Sequence, residues 1–170
     1  DLYVDLPEDI DVLLNVYDLT LSIAPSSASF FQSLTGSGWA PKNLGAIFDN
    51  AAVRQLDSFV TIGGFDMSGT APEQNPDPVA GIETDPNFGG NGAAAPGTNA
   101  GWYNNNPPSL VGLSGDLTNV GLTGVHGVFI GRFTTTGSEL SLEGSTFSVL
   151  WNQGSGPPSG FQTVTVCAAP

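Results

Sequence analysis

The feature that most constrains the fold is the alternation of apolar and polar residues in short runs that end at glycine, serine or proline. The first long run is DVLLNVYDLTLSI, at 11–23. Successive side chains of a β-strand point to opposite faces of a sheet, so this run predicts a strand. Its alternation places on one face Leu13, Tyr17, Leu19, Leu21 and Ile23, and on the other Val12, Leu14 and Val16.

Further strands are predicted by the runs at 1–6, 27–34, 55–64, 125–137, 144–154 and 160–169. The last three are separated by Gly, Ser and Pro turns, which predicts an antiparallel meander. Only segment 45–56 has helical spacing, so we expect at most a short helix. Six to eight strands predict a single all-β domain over 1–170, an antiparallel β-sandwich of the jelly-roll or Greek-key type.

The interval at about 64–124 is crowded with Gly, Pro, Asn and Asp and contains no Lys or Arg. Such a composition predicts a long inserted loop, and long ordered loops are often functional. Aromatic residues recur inside it, whereas disordered segments lack them. We therefore expect a loop that is held against the sheet at its aromatic side chains.

The charge balance restricts the partners of the chain. Lys and Arg number 3 and Asp and Glu 16, which gives a formal net charge of −13. So acidic a surface repels phosphate backbones and anionic lipid headgroups, and no apolar run is long enough to span a membrane. We expect neither nucleic acid binding nor membrane insertion. The scarcity of Lys and the abundance of hydroxyl and amide side chains favour an extracellular location at a cell surface.

Catalytic residue sets are missing from the sequence, which predicts that the protein is not an enzyme. The one histidine is His126 and no G-x-S-x-G elbow is present, so a Ser-His triad has little to be built from. One His and one Cys cannot form a usual zinc site. Glu139 and Glu143 would lie about 13 Å apart on one unbroken strand, too far for a glycosidase pair. Carboxylate pairs across strands, such as Asp18 with Asp57, stay open, and solvated charges are the favoured interpretation for them.

The stretch AGWYNNNPPS at 100–109 concentrates aromatic and amide groups. Two interpretations stay open: the aromatics pack against the sheet as a plug for the long loop, or they stack on sugar rings with the asparagines as hydrogen-bond partners. The candidates for a ligand site or an interface are Trp39, Trp102, Tyr103, Asn104, Asn105 and Trp151.

Calcium is a candidate ligand because segment 72–99 is dense in the oxygen donors that it prefers, with Asp77, Glu83 and Asp85 as the carboxylates. The alternative is an acidic solvated loop, and no cofactor is otherwise expected. The single cysteine, Cys167, is a candidate for an intermolecular disulfide, or an inward-facing residue of the last strand.

Six segments taken in order carry a resemblance: LLNVYDLTL, SGWAP, QLDSFVTIGG, TDPNFGG, AGWYNNNPPSLVG and GVFIGRFTT. They are similar to a group of secreted β-rich proteins of unknown function, frequent in planctomycete-type bacteria and also found in marine algae. That group often carries a signal peptide and a surface-sorting or docking tail. The resemblance implies secretion and a sandwich-like module displayed at a surface, and it supplies no catalytic residues.

Together these features predict an extracellular structural module that self-assembles as a homo-oligomer or polymer in a surface layer, sheath or filament. Strand edges near the termini are the candidates for pairing between subunits. The alternative is a carbohydrate-binding module that recognises a polysaccharide, with or without calcium.

Overall fold

The computed structural model describes residues 1–26, 28–32, 39, 56–63, 82–88, 95–106, 108, 110–135, 140–154 and 156–167. Nine strands lie in these ranges, and two 3-10 turns, Pro86–Phe88 and Thr118–Val120, accompany them. The strands are β1 (Leu2–Asp5), β2 (Asp11–Thr20), β3 (Phe59–Val60), β4 (Ile82–Thr84), β5 (Ala100–Asn104), β6 (Gly115–Asp116), β7 (His126–Arg132), β8 (Thr146–Gln153) and β9 (Pro158–Thr165).

The strands form two antiparallel sheets. In the five-stranded sheet the order is β4-β5-β2-β8-β9. In the four-stranded sheet β7 pairs with β1 on one side and with β3 and β6 on the other. One buried cluster takes side chains from both sheets, including Val60 and Ile130 from one and Val16 and Val149 from the other. The all-β sandwich that the sequence predicted is confirmed, whereas the jelly-roll or Greek-key connectivity stays a prediction.

The predicted meander of the last three strands is wrong. Strands β8 and β9 do pair as a hairpin, but β7 belongs to the opposite sheet. Strand β7 is buried from Gly127 to Gly131 because both of its faces are covered: Val128 and Ile130 lie in the core, and Phe129 on the opposite face packs against the rings of Tyr3 and Phe59. Short turns in the sequence indicate that strands follow one another, and they do not indicate in which sheet each strand pairs.

The predicted faces of β2 are partly wrong, because the strand is irregular at two places. Its register with β8 shifts between Leu13 and Asn15 and again between Tyr17 and Thr20. A bulge adds one residue to a strand and reverses the alternation beyond it. Leu13, Val16 and Leu19 therefore all lie in the core, while Tyr17 lies on the opposite face with only partial burial.

The interval 64–124 is not one long loop, because it contains β4, β5 and β6. Strand β5 even lies inside its sheet, between β4 and β2. The sequence predicted a strand at 27–34. Within the described residues 28–32, the structure has only an isolated β-bridge, between Phe30 and Thr135. The predicted short helix at 45–56 lies outside the described residues apart from Leu56.

No helix in the described ranges has the length and apolar character needed to cross a membrane.

Candidate functional site on the five-stranded sheet

The three tryptophans that the sequence proposed as ligand candidates lie in the core. Trp39, Trp102 and Trp151 are all buried, and Trp39 packs against the rings of Phe30 and Phe133. A buried indole has no face available for stacking on a sugar. Their burial therefore supports the interpretation as packing residues and removes them from a ligand surface.

Trp102 joins the two sheets. It is 0% exposed, and its Nε1 donates a hydrogen bond of 2.7 Å to the carbonyl oxygen of Thr61, which follows β3 of the opposite sheet. Phe88 packs edge-on against the indole, with the ring centroids 5.7 Å apart. Trp102 thus joins β5 and the 3-10 turn at Pro86–Phe88 to the segment that follows β3 in the opposite sheet.

The residues next to Trp102 point outward or fix the end of β5. Tyr103 alternates with Trp102 and is 45% exposed. The buried Asn104 accepts a hydrogen bond from the backbone N–H of Asn106 at its Oδ1, which fixes the turn after the strand. Asn105 is exposed, and its Nδ2 donates to Glu83 Oε1 at 3.2 Å. Of the six ligand candidates, Tyr103 and Asn105 lie at the surface.

The proposed calcium ligands are only partly described. Asp77 lies outside the described residues, and Glu83 is exposed on the edge strand β4. Asp85 Oδ1 accepts a hydrogen bond of 2.9 Å from the backbone N–H of Asn87. Within the described ranges no three His, Cys, Asp or Glu side chains gather as a metal site. A calcium site stays a prediction from the sequence.

The outer face of the five-stranded sheet carries one continuous row of side chains across all five strands. The register pairs Glu83 with Tyr103, Tyr103 with Asn15, Asn15 with Leu150, and Leu150 with Phe161. Residues directly opposite each other in antiparallel strands share a face of the sheet. The row therefore begins at a carboxylate and ends at Phe161, which is 66% exposed.

The edges of the two sheets differ in how they are protected. Natural sheets blunt their edges with short strands, charges or covering segments. Strand β4 has three residues and carries Glu83, and β1 has four and ends at Asp5. Beside β3, the N–H of Val60 donates to the carbonyl oxygen of Trp39, so a neighbouring segment covers that edge.

Strand β9 has none of these protections in the described part of the chain. It spans eight residues, Pro158–Thr165, contains no ionisable side chain and ends the order of its sheet. Proline occurs only at its first position, where it does not interrupt the ladder. Sequence reasoning pointed to strand edges near the termini, and the structure singles out this one as long and uncharged.

Backbone geometry identifies the groups that β9 presents at its open side. Val166 N–H donates to Ser145 O and Val166 O accepts from Gly144 N–H, so both backbone groups of Val166 point toward the β8 side. Hydrogen-bonding direction alternates along a strand, and the pairing with β8 is regular from Phe161 to Thr165. The N–H and C=O groups of Phe161, Thr163 and Thr165 therefore point away from the sheet.

Cys167 lies two residues beyond the end of β9 and is exposed with a free thiol. Its exposure argues against the inward-facing interpretation. The intermolecular disulfide stays a prediction.

Phe161 and Tyr17, which lie on the outer face, were not among the ligand candidates. Phe161 occurs in an alternating run whose solvent face the sequence does not identify, and Tyr17 is moved outward by the irregularity of β2.

In comparisons with protein-family models, curated proteins and solved structures, no match to this chain was found.

Proposed function

We propose that this protein is an extracellular structural module whose copies join through strand β9. The observation that carries the proposal is the uncharged eight-residue edge of the five-stranded sheet, beside which no other described strand lies. An exposed strand edge is a template for pairing with another chain. The extracellular part rests on the low content of Lys and Arg and on the hydroxyl and amide side chains of the sequence.

A second copy of the chain is the partner that fits this edge. When two β9 strands pair in antiparallel fashion about a two-fold axis, Thr163 lies opposite its own copy and Phe161 lies opposite Thr165 of the partner. The outward N–H and C=O groups of these three residues then all find partners. The two five-stranded sheets become one continuous sheet, with both outer faces on the same side.

Such a pair closes at two copies, because the same surface is used by both subunits. The dimer is then the building block of a surface layer, sheath or filament, and a further contact links dimers. The net charge of −13 opposes association over the whole molecule, but β9 itself brings no charge into the contact. Pairing at this edge therefore requires no burial of an ionised group.

The test is the molar mass in solution of the wild type and of Thr163→Lys, measured by light scattering over a range of concentrations. A lysine at position 163 opposes this pairing because the two-fold axis places the two ammonium groups directly opposite each other, and like charges opposite each other on neighbouring strands repel. We expect the wild type to exceed the monomer mass of 17.4 kDa as concentration rises, and Thr163→Lys to stay monomeric.

The matched control is Thr123→Lys, which adds the same charge at an exposed turn residue outside the strands. It should associate like the wild type. Pairing through β9 is contradicted if the wild type stays monomeric at all concentrations. It is also contradicted if both lysine variants lower the light-scattering molar mass by the same amount.

A further inference from the structure

A second surface, distinct from the open edge, lies on the outer face of β2 and β5. Tyr17 and Tyr103 both reach this face, one on each of two neighbouring strands. Tyr103 is 45% exposed and Tyr17 is partly exposed. Gly101 lies two residues before Tyr103 on β5 and close to the backbone of Tyr17, so no side chain separates the two strands there.

Gly101 is closely covered by backbone and by one carboxylate. A Cβ placed on Gly101 would lie 3.0 Å from Val16 O, 3.2 Å from Tyr17 Cα and 3.3 Å from Asp85 Oδ2, so even a methyl group would be tight there. Asp85 Oδ1 is held by the N–H of Asn87, so the side chain is fixed with its second oxygen over the glycine. The surface is therefore closed at Gly101, with backbone and an Asp85 oxygen packed against the glycine and Tyr17 on the neighbouring strand.

The rest of this face mixes polar and apolar side chains. Asn15 lies beside Tyr103, whereas Leu150 and the 66% exposed Phe161 continue the same row on β8 and β9. Carboxylates lie at the β4 side, at Glu83 and Asp85, and the exposed Asp18 follows Tyr17 on β2. Rings and an amide thus lie close to carboxylate acceptors on this part of the sheet.

From this arrangement we infer that the outer face around Tyr17, Gly101 and Tyr103 is a binding site for an uncharged polysaccharide. A sugar ring offers an apolar face for stacking on a tyrosine and hydroxyls for the amide and the carboxylate. The carboxylates and the net charge of −13 disfavour glycans that carry uronate or sulfate. A partner protein would need a larger desolvated apolar centre than this mixed face supplies.

The experiment is affinity electrophoresis of the wild type and of Tyr103→Ala in gels that contain a neutral glycan (β-glucan, xylan or mannan) or alginate as the acidic glycan. We expect at least one neutral glycan to retard the wild type and alginate to have no effect. Losing one stacking ring should weaken that binding about twofold to tenfold.

Two matched variants separate a binding role from a folding role. Tyr103→Phe keeps the ring and should bind within about twofold of the wild type, since stacking uses the ring face. Leu56→Ala removes an exposed apolar side chain, 52% exposed, just before β3 of the other sheet, and should leave the binding unchanged.

The inference does not depend on self-association, so the same gels are run at a concentration at which light scattering gives the monomer mass of 17.4 kDa. Retardation of the monomer by a neutral glycan supports the site even where β9 pairing fails. The inference is overturned if no neutral glycan retards the protein, if Tyr103→Ala is retarded like the wild type, or if alginate retards it more strongly. It is also overturned if Tyr103→Ala lowers the light-scattering mass and leaves retardation unchanged, because the face would then be a contact between copies.

Discussion

Replacement of Trp102 by phenylalanine removes the hydrogen bond that joins the two sheets while keeping an aromatic ring in the core. The carbonyl oxygen of Thr61 lies in a residue that is fully buried, so it loses its indole donor without gaining water. Leaving a buried acceptor unpaired costs about 1 to 3 kcal/mol. The smaller ring also gives up two buried carbons, which at ~0.8 kcal/mol each adds about 1.6 kcal/mol.

Trp151→Phe provides the matched comparison. Trp151 is also buried, but its indole makes no hydrogen bond with the described residues, so the same replacement should cost only the apolar part, about 1.6 kcal/mol. We expect Trp102→Phe to lose about 2.5 to 4.5 kcal/mol of unfolding free energy, within the 5 to 15 kcal/mol of an ordinary domain, so the variant still folds.

Equilibrium unfolding in urea, followed by far-ultraviolet circular dichroism, measures both variants. Tryptophan fluorescence is unsuitable because each replacement removes one of the three tryptophans of the chain. A loss in Trp102→Phe no larger than that in Trp151→Phe would refute the stabilising role of the bond to Thr61.

Two further predictions concern packing and acid titration. Gly160→Ala should destabilise the protein by about 1 to 3 kcal/mol in the same urea assay, because the added Cβ would overlap the Trp151 indole, and unchanged stability would show that the indole lies elsewhere. The hydroxyl and backbone N–H of Thr118 hold the pKa of Asp116 below its usual range, so this carboxylate stabilises the fold above its unfolded pKa and the contribution is lost as pH falls through the folded pKa. Carboxyl NMR titration should show that lowered pKa and its rise in Thr118→Val, and an equal pKa in both proteins would contradict the assigned cause.

The sequence predicted the type of fold because alternation along a strand is a local property. It did not predict the sheet to which each strand belongs, since pairing depends on residues far apart in the chain. Strand β7 shows this: its partners are β1, β3 and β6, at Leu2–Asp5, Phe59–Val60 and Gly115–Asp116. The turns that flank β7 in the sequence carry no information about these partners.

Strand β5 was missed because its strand character comes from tertiary packing. Its five residues, AGWYN, include a glycine and an asparagine, both depleted in strands. Ala100 and Trp102 are buried while Tyr103 is exposed, so the alternation is present but short. The bond from Trp102 to Thr61 is made to the opposite sheet, and no local pattern predicts it.

The candidate site was predicted in part. Strand edges near the termini were predicted to pair between subunits, but the sequence analysis did not single out the run at 160–169. Three of the six ligand candidates were tryptophans, and large aromatic side chains are also the ones that stabilise a core most. All three are buried, so they do not form a ligand surface. Tyr103 was among the candidates, whereas Tyr17 reaches the surface only because β2 changes register.

Cross-linking of a single introduced cysteine tests the pairing of β9 most directly. In a chain that carries Cys167→Ser and Thr163→Cys, antiparallel pairing about a two-fold axis brings each new thiol opposite its own copy, at a Cα separation of about 5.5 Å that a disulfide can span. Mild oxidation should then give a covalent dimer in high yield, and Thr123→Cys in the same Cys167→Ser background should give little. A Thr163→Cys chain that stays monomeric, or one that dimerises no more than Thr123→Cys, would contradict self-association through this edge.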